Sequence, residues 1–314
     1  MSYCIKEMGF IMASGIISHV QRFSLHDGPG ARTTVFFLGC PLGCFWCHNP
    51  ETCCRNPVLT YDQSQCIHCL ECVSACNMNA LSISEERTLT YNDKRCTHCF
   101  NCIKKCPSGA LFVHGTHMDA ADLINELILD TGMYGRTGGG VTFSGGEPTL
   151  QSAFLREILH LCKMHGLSTA VDTCGFCEGE QFESICRETD LVLFDIKHMD
   201  SEQHRSMTCM PNELIIQNAR RLSTAGIRMC VRIPIIPGYN DDIDNIKATS
   251  KLISELDTVD NVMLLGYHKL GLAKVYGFGF KQRDSGLMPP SREHMQALRE
   301  YLQDSLPGIP VSYR

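Results

Sequence analysis

Short apolar runs alternate along most of this chain with longer stretches in which apolar residues recur every three or four positions. The runs at 33–38, 140–143, 168–172, 191–195, 228–233 and 262–265 predict strands. Helical spacing over 120–130, 150–165, 181–188, 213–225, 243–256 and 292–302 predicts amphipathic helices. Strand–helix units in this rhythm form a parallel sheet, because each return crosses over through a helix. The pattern serves a doubly wound sheet and a barrel equally.

Polar motifs sit where these strands end, the face on which α/β proteins build sites. They are Gly145-Gly146-Glu147-Pro148, Asp172-Thr173-Cys174-Gly175, Asp195-Ile196-Lys197, Val231-Arg232-Ile233-Pro234 and Gly266-Tyr267-His268-Lys269. Glycines 138–140 lead into one strand, but no Lys-Ser/Thr follows them, so this is not a phosphate loop. Asp195 and Lys197 also suit a simple ion pair at a rim.

Composition narrows the class. The chain has 314 residues, 44% hydrophobic and 20% charged, with a formal charge of −6. That suits one large α/β domain, or one domain with an insertion. The acidic balance and the lack of long Lys/Arg runs argue against nucleic acid as a partner. No apolar stretch reaches the length of a membrane span, and the N-terminus shows no secretory pattern. Met12 offers an alternative start to Met1.

Twenty cysteines demand an explanation. Nine (Cys4, Cys53, Cys54, Cys162, Cys174, Cys177, Cys186, Cys209, Cys230) are scattered, and are expected to be ordinary thiols of a reducing cytoplasm. The other eleven fall into three tight groups. Cys66-x2-Cys69-x2-Cys72-x3-Cys76 recurs thirty positions later as Cys96-x2-Cys99-x2-Cys102-x3-Cys106-Pro107. This is a duplicated bacterial ferredoxin module, in which the fourth cysteine crosses to the other cluster. Cys66, Cys69, Cys72 and Cys106 are therefore assigned to one [4Fe-4S] cluster, and Cys96, Cys99, Cys102 and Cys76 to another. Closed clusters of this kind carry electrons; the spacing does not suit a tetrahedral zinc. Cys40-x3-Cys44-x2-Cys47 is different, since three thiolates hold three irons of a cubane and leave the fourth open.

That loop resembles the signature of radical S-adenosylmethionine enzymes. With His26-Asp27-Gly28-Pro29-Gly30-x-Arg32, the continuation Cys47-His48-Asn49-Pro50-Glu51, the Gly-Gly-Glu-Pro motif and the ferredoxin insert, the chain from Gly15 onward is most similar to the glycyl radical enzyme activating enzymes. The resemblance implies an α/β fold: an open, partial (β/α)6 TIM-like barrel over 15–51 and 116–314, with a tail at 1–14. A ferredoxin-like α+β insert would occupy 52–115. It implies three [4Fe-4S] clusters, S-adenosylmethionine and a monovalent cation. Cys40, Cys44 and Cys47 would hold the radical-generating cluster. Trp46, Cys47 and His48 would border the adenosyl group, Gly146 would meet the methionine part, and His268 the adenine. Asp195, Ile196 and Lys197 would lie near the cofactor carboxylate. Asp172, Thr173, Asp195 and the backbone at Leu193 match the cation ligands. Arg232 would sit near cofactor and substrate loop, and Asp27 would orient the target's glycine loop.

In function, the resemblance implies reductive cleavage of S-adenosylmethionine to methionine and a 5′-deoxyadenosyl radical, which takes a hydrogen from a glycine Cα of a partner enzyme. Partners of this longer class handle choline, glycerol, hydroxyproline, arylacetates or isethionate. A flavodoxin or ferredoxin-type reductant would feed the insert. The protein is expected to be a monomer, with no nucleic acid or membrane partner. A radical enzyme acting on a small molecule fits the Asp-Gly-Pro-Gly turn less well. A mere electron carrier would leave the three-cysteine loop unused.

Overall fold

The computed structural model describes residues 13–85, 88–271 and 286–314. The tail expected at 1–14 lies almost wholly outside the described residues, as does the choice between Met1 and Met12. The first two strands are β1 (Ser14–Ser24) and β2 (Arg32–Phe37). Four short strands follow: β3 (Val58–Tyr61), β4 (Leu81–Ile83), β5 (Leu89–Tyr91) and β6 (Leu111–His114). Then come β7 (Thr116–Asp119), β8 (Gly140–Gly145), β9 (Thr169–Thr173), β10 (Leu191–Asp195), β11 (Met229–Ile235), β12 (Val259–Gly266) and β13 (Val311–Tyr313).

The main sheet runs β13-β12-β11-β10-β9-β8-β2-β1-β7. From β2 to β13 every pairing is parallel, whereas β1 pairs antiparallel with both β2 and β7. Strand order never reverses along the parallel part. A doubly wound sheet needs such a reversal, and right-handed crossovers without one place the helices on a single face. The ambiguity left by the sequence is thereby resolved in favour of an open, barrel-like α/β sheet.

The crossovers carry α3 (Ala120–Leu127), α4 (Thr131–Thr137), α5 (Ser152–Met164), α6 (Gly179–Arg187), α7 (Ser201–Thr208), α8 (Glu213–Thr224), α9 (Ile243–Ser254) and α10 (Arg292–Ser305), after α1 (Glu71–Ser74) and α2 (Asn101–Lys104). Side chains alternate across the sheet. Val35, Phe37, Val141, Phe143, Val171, Phe194 and Val231 are fully buried in the two large apolar clusters on the helical side. The opposite face carries Thr34, Ser144, Asp172, Asp195 and Arg232, with Ala170, Leu193 and Cys230 forming a small apolar layer of its own.

Outside the insert, five elements were not anticipated. Strand β1 mixes Ser18, His19, Gln21 and Arg22 among its apolar residues, and β7 reads Thr-His-Met-Asp. Strand β13 has only three residues. Helix α4 contains two glycines, and α7 is polar; it is started instead by Asp200, whose carboxylate accepts from Gln203 N at 2.8 Å. None shows the apolar density by which elements are read from sequence.

Residues 58–114 form a separate small unit. β3 pairs with β6 and β4 with β5, around Leu59, Leu81, Cys102 and Leu111. Its backbone repeats with its sequence: His68 and His98 have φ of 56° and 53°, and Leu70 and Phe100 have 64° and 56°.

Arg32, 1% exposed, braces the turn between β1 and β2. Its Nε donates to Thr142 Oγ1 and its Nη2 to the Val141 carbonyl, both at 2.6 Å, and Nη1 reaches the Pro29 carbonyl at 3.3 Å. Burial pulls its pKa down to about 10, so the charge survives at neutral pH. Arg32→Met strands these acceptors. It is expected to cost about 3 kcal/mol and to lower the midpoint of anaerobic thermal unfolding by several degrees. An unchanged midpoint would show that these bonds add no net stability.

Candidate active site

The cysteine loop leaves the end of β2 and is held from two sides. Gly39 N donates to the Thr52 carbonyl at 2.7 Å, and Cys40 N to the Cys53 carbonyl at 3.4 Å. On the other side, Gly43 N donates to Thr208 O at 2.6 Å and Phe45 N to Met207 O at 3.4 Å, both at the end of α7. Between these anchors Cys40, Cys44 and Cys47 face one cavity, of about 170 Å³.

Trp46, His48, Gly146, Thr173, Asp172, Asp195, Lys197 and Arg232 stand in the same wall. All six strands from β2 to β12 thus send residues to one place. Of the residues expected to border the cofactor, the cation or the substrate loop, Leu193, Ile196, Asp27 and His268 stand outside that wall. Leu193 packs with Ala170 and Cys230, and Ile196 lies in the helical-side core. Exposed His268 stacks on His48 at 3.9 Å between ring centroids, and its neighbour Tyr267 supplies the wall. Asp27 accepts from Thr34 Oγ1 at 2.8 Å, while its carbonyl accepts from Thr142 Oγ1 at 2.6 Å.

A chain of charges crosses the sheet face. Ser144 Oγ donates to Asp172 at 2.6 Å, and Arg232 Nη2 reaches Asp172 Oδ1 at 2.8 Å. Arg232 Nε donates to Asp195 Oδ1 at 3.1 Å, and Lys197 Nζ to Asp195 Oδ2 at 2.7 Å. Burial opposes the charge on Asp195, but Lys197 and Arg232 hold its carboxyl below the ordinary range. Asp172 lacks the lysine; burial dominates, and its pKa is pushed up to about 6. Arg232 Nη1 is buried with no hydrogen-bond partner. The carboxylates expected to hold a monovalent cation are bridged by Arg232 here. Thr173 Oγ1 turns away to Glu147, at 2.9 Å from each carboxylate oxygen.

Glu147 and Gly146 have packing roles of their own. Glu147 is fully buried and also accepts from Thr149 Oγ1 at 2.6 Å and Cys174 N at 2.8 Å, tying the end of β8 to that of β9. A Cβ on Gly146 would stand 2.2 Å from the Gly39 carbonyl, so only glycine lets this turn meet the cysteine loop.

In the insert, Cys66, Cys69, Cys72 and Cys106 line one cavity, and Cys76, Cys96, Cys99 and Cys102 line another. His68 N donates to Cys66 Sγ at 3.4 Å and His98 N to Cys96 Sγ at 3.3 Å. An all-thiol donor set with amide N–H groups aimed at sulfur fits iron–sulfur clusters. In the main cavity, an unpaired guanidinium N–H beside carboxylates and aromatic wall residues fits a zwitterionic amino acid joined to a flat base.

Among the cysteines of this wall, sequence reasoning missed two, Cys53 and Cys174, both counted as background thiols. The signal for Cys174 was its place directly after Asp172-Thr173 at a strand end. For Cys53 it was nearness to Cys47 in the chain.

The Radical SAM superfamily model matches residues 93–249, and the 4Fe-4S dicluster domain model matches 65–110. Fold and site thus define a radical S-adenosylmethionine oxidoreductase with iron–sulfur clusters. The isethionate sulfite-lyase activating enzyme of Oleidesulfovibrio alaskensis is 38% identical over 91% of this chain and 93% of its own. The trans-4-hydroxy-L-proline dehydratase activating enzyme of Clostridioides difficile is 38% identical over 92% of this chain and 96% of its own. The chain belongs to the glycyl radical enzyme activating enzymes, as its motifs led us to expect. The structure of SuiB from Streptococcus suis bound to its precursor peptide SuiA shares the fold, with a TM-score of 0.52 and 12% identity over 88% of this chain and 47% of that one.

The two aspartates have opposite pH signatures. Between the ordinary carboxyl pKa of about 4 and about 6, folded Asp172 holds a proton that the unfolded chain has released, so its contribution to stability falls as pH rises. Asp195 contributes above the ordinary value, and that contribution is lost as pH falls. Asp172→Asn keeps an oxygen for Arg232 and is expected to flatten the decline in unfolding midpoint between about pH 4 and 6. An unaltered slope would place that titration elsewhere.

Proposed function

We propose that this chain activates a partner glycyl radical enzyme of the lyase, dehydratase or decarboxylase kind, the kind named for its relatives: isethionate sulfite-lyase, choline trimethylamine-lyase, trans-4-hydroxy-L-proline dehydratase and 4-hydroxyphenylacetate decarboxylase. The observation that carries this reading is the meeting of a three-cysteine loop with residues from six strand ends in one cavity, in a chain that also holds two four-cysteine cavities.

Three [4Fe-4S] clusters are assigned. Cys40, Cys44 and Cys47 hold the radical-generating one; Cys66, Cys69, Cys72 and Cys106 hold the second; Cys96, Cys99, Cys102 and Cys76 hold the third. When bound, the first cluster and S-adenosylmethionine supply the chemistry: an electron splits the sulfonium into methionine and a 5′-deoxyadenosyl radical that removes a hydrogen from a glycine Cα.

The chain's own residues bind and orient. Arg232, through its spare N–H, and Lys197 take the cofactor carboxylate, while Asp195 and Asp172 balance the charge that this brings into a buried site. Trp46 and His48 enclose the adenosyl group, and Tyr267 supplies wall where His268 was expected. Asp27, held by Thr34, orients the incoming glycine loop. No side-chain base is required, because a hydrogen atom moves rather than a proton.

The region 52–115 acts as the electron inlet, fed by a flavodoxin or ferredoxin-type reductant. The protein works as a cytoplasmic monomer without nucleic acid. No described helix is long and apolar enough to cross a membrane.

The decisive test is anaerobic. The protein is reconstituted with iron and sulfide, reduced, and given S-adenosylmethionine with a candidate glycyl radical enzyme. A glycyl doublet in electron paramagnetic resonance together with 5′-deoxyadenosine supports the reading, and neither signal from a fully loaded protein would refute it. Cys47→Ala is expected to abolish cofactor cleavage. Cys99→Ala should instead slow electron delivery and spare cofactor binding, as read by calorimetric titration. Equal loss of binding in both variants would overturn this division of roles.

A further inference from the structure

The turn that carries Asp27 is held on one side by the strands beside it. Thr34 Oγ1 donates to the Asp27 carboxylate at 2.8 Å, and Thr142 Oγ1 to the Asp27 carbonyl at 2.6 Å. Arg32 Nη1 reaches the Pro29 carbonyl at 3.3 Å. These three donors stand on β2 and β8. A fourth bond comes from the far edge of the sheet, where Arg314 Nη1 donates to the His26 carbonyl at 2.8 Å. Arg314 directly follows β13, and β12, β11, β10, β9 and β8 lie between that strand and β2. Its backbone is fixed to β12, since Arg314 N donates to Leu264 O at 3.1 Å and its carbonyl accepts from Gly266 N at 3.0 Å. The sheet thus curves far enough for its last strand to reach back to its first turn, and Arg314 spans the gap that an open barrel leaves.

The bond falls on a telling atom. The carbonyls of His26 and Asp27 flank the Asp27 Cα, and they are held from opposite sides by Arg314 and Thr142. With its carboxylate on Thr34, Asp27 is fixed in both backbone and side chain. The turn stays reachable from solvent: His26 is exposed, and Leu25 is 67% exposed. Arg314 itself is not part of the cavity wall that holds Arg232 and Lys197. A guanidinium donating to a carbonyl is a charge-assisted bond, so it can hold a turn even at the surface. We infer that Arg314 is a positioning residue for the protein substrate: it sets the Asp27 turn that receives the partner's glycine loop, without acting on the cofactor. This inference rests on the activase reading, in which Asp27 orients that loop. Holding a receptor turn in its binding geometry lowers the cost of ordering it on association.

The test uses the full chain with its clusters loaded, S-adenosylmethionine, and a glycyl radical enzyme that the wild type activates. Arg314→Ala is expected to raise KM for that partner about fivefold, the scale of one lost charge-assisted bond at a surface. Calorimetric affinity for S-adenosylmethionine and 5′-deoxyadenosine formation without partner are expected to keep their wild-type values. Arg314→Lys keeps a cationic donor and is expected to recover most of the partner affinity. An unchanged KM in the alanine variant would overturn the inference, and a lowered unfolding midpoint alongside it would make the bond a structural tie alone. Equal loss of cofactor affinity would also overturn it, by placing the effect in the cavity. A wild-type protein that forms 5′-deoxyadenosine but installs no glycyl radical on any candidate partner would defeat the activase reading itself, and the inference with it.

Discussion

Arg232 stands between Asp172 and Asp195, and the polar face of the sheet depends on that arrangement. Two carboxylates on adjoining parallel strands cannot both stay ionised in a buried position without a cation between them. Arg232 lies opposite Asp195 in the β10–β11 register and reaches across to Asp172 on β9. Lys197 then completes the balance on the far side of Asp195. The result is neutral, and it also leaves one guanidinium nitrogen, Nη1, unspent. An unspent buried donor is costly in the resting protein and is recovered when an anionic group arrives. The site is thus organised for a charged, compact ligand before any ligand binds.

The cysteine loop is positioned by the same economy of short connections. Its anchors are backbone hydrogen bonds to the turn at Pro50–Thr52 and to the end of α7. Gly146 and Glu147 add a third support: glycine permits the close approach to Gly39, and the buried carboxylate welds the β8 turn to Thr173 and Cys174. The Gly-Gly-Glu-Pro motif is therefore explained by packing alone, whatever contact its backbone also makes with a cofactor.

Much of this was legible from sequence because the informative residues obey fixed periods. Six of the seven parallel strands are dense apolar runs, and the two four-cysteine runs repeat in register thirty positions apart. Both signals are local. Strand β1 was invisible because its residues serve two neighbours at an antiparallel edge and alternate too irregularly. Helix α7 was invisible because it is held by capping and by Thr208, not by an apolar stripe. The site shows the same division. Residues at strand ends were found as members of one wall, while Cys53 and Cys174 were not, because they reach the cavity from outside the three-cysteine loop and no spacing rule encodes that placement. His268 and Ile196 were carried over by position, and the structure turns one onto His48 and the other into the core.

The insert and the barrel answer opposite demands with the same chemistry. In the insert each cavity gathers three cysteines from one run and one from the other, so that all eight line the two cavities and each cavity draws on both halves of the repeat. Such closure suits groups that only pass electrons. At the mouth of the sheet five cysteines line the wall, more than a cubane needs, and a cluster with an open iron there would take only three of them. What separates ligands from bystanders there cannot be chemistry, since all five are thiols. It is backbone placement: Cys40, Cys44 and Cys47 share one loop, whereas Cys53 is committed to the turn after it and Cys174 to Glu147.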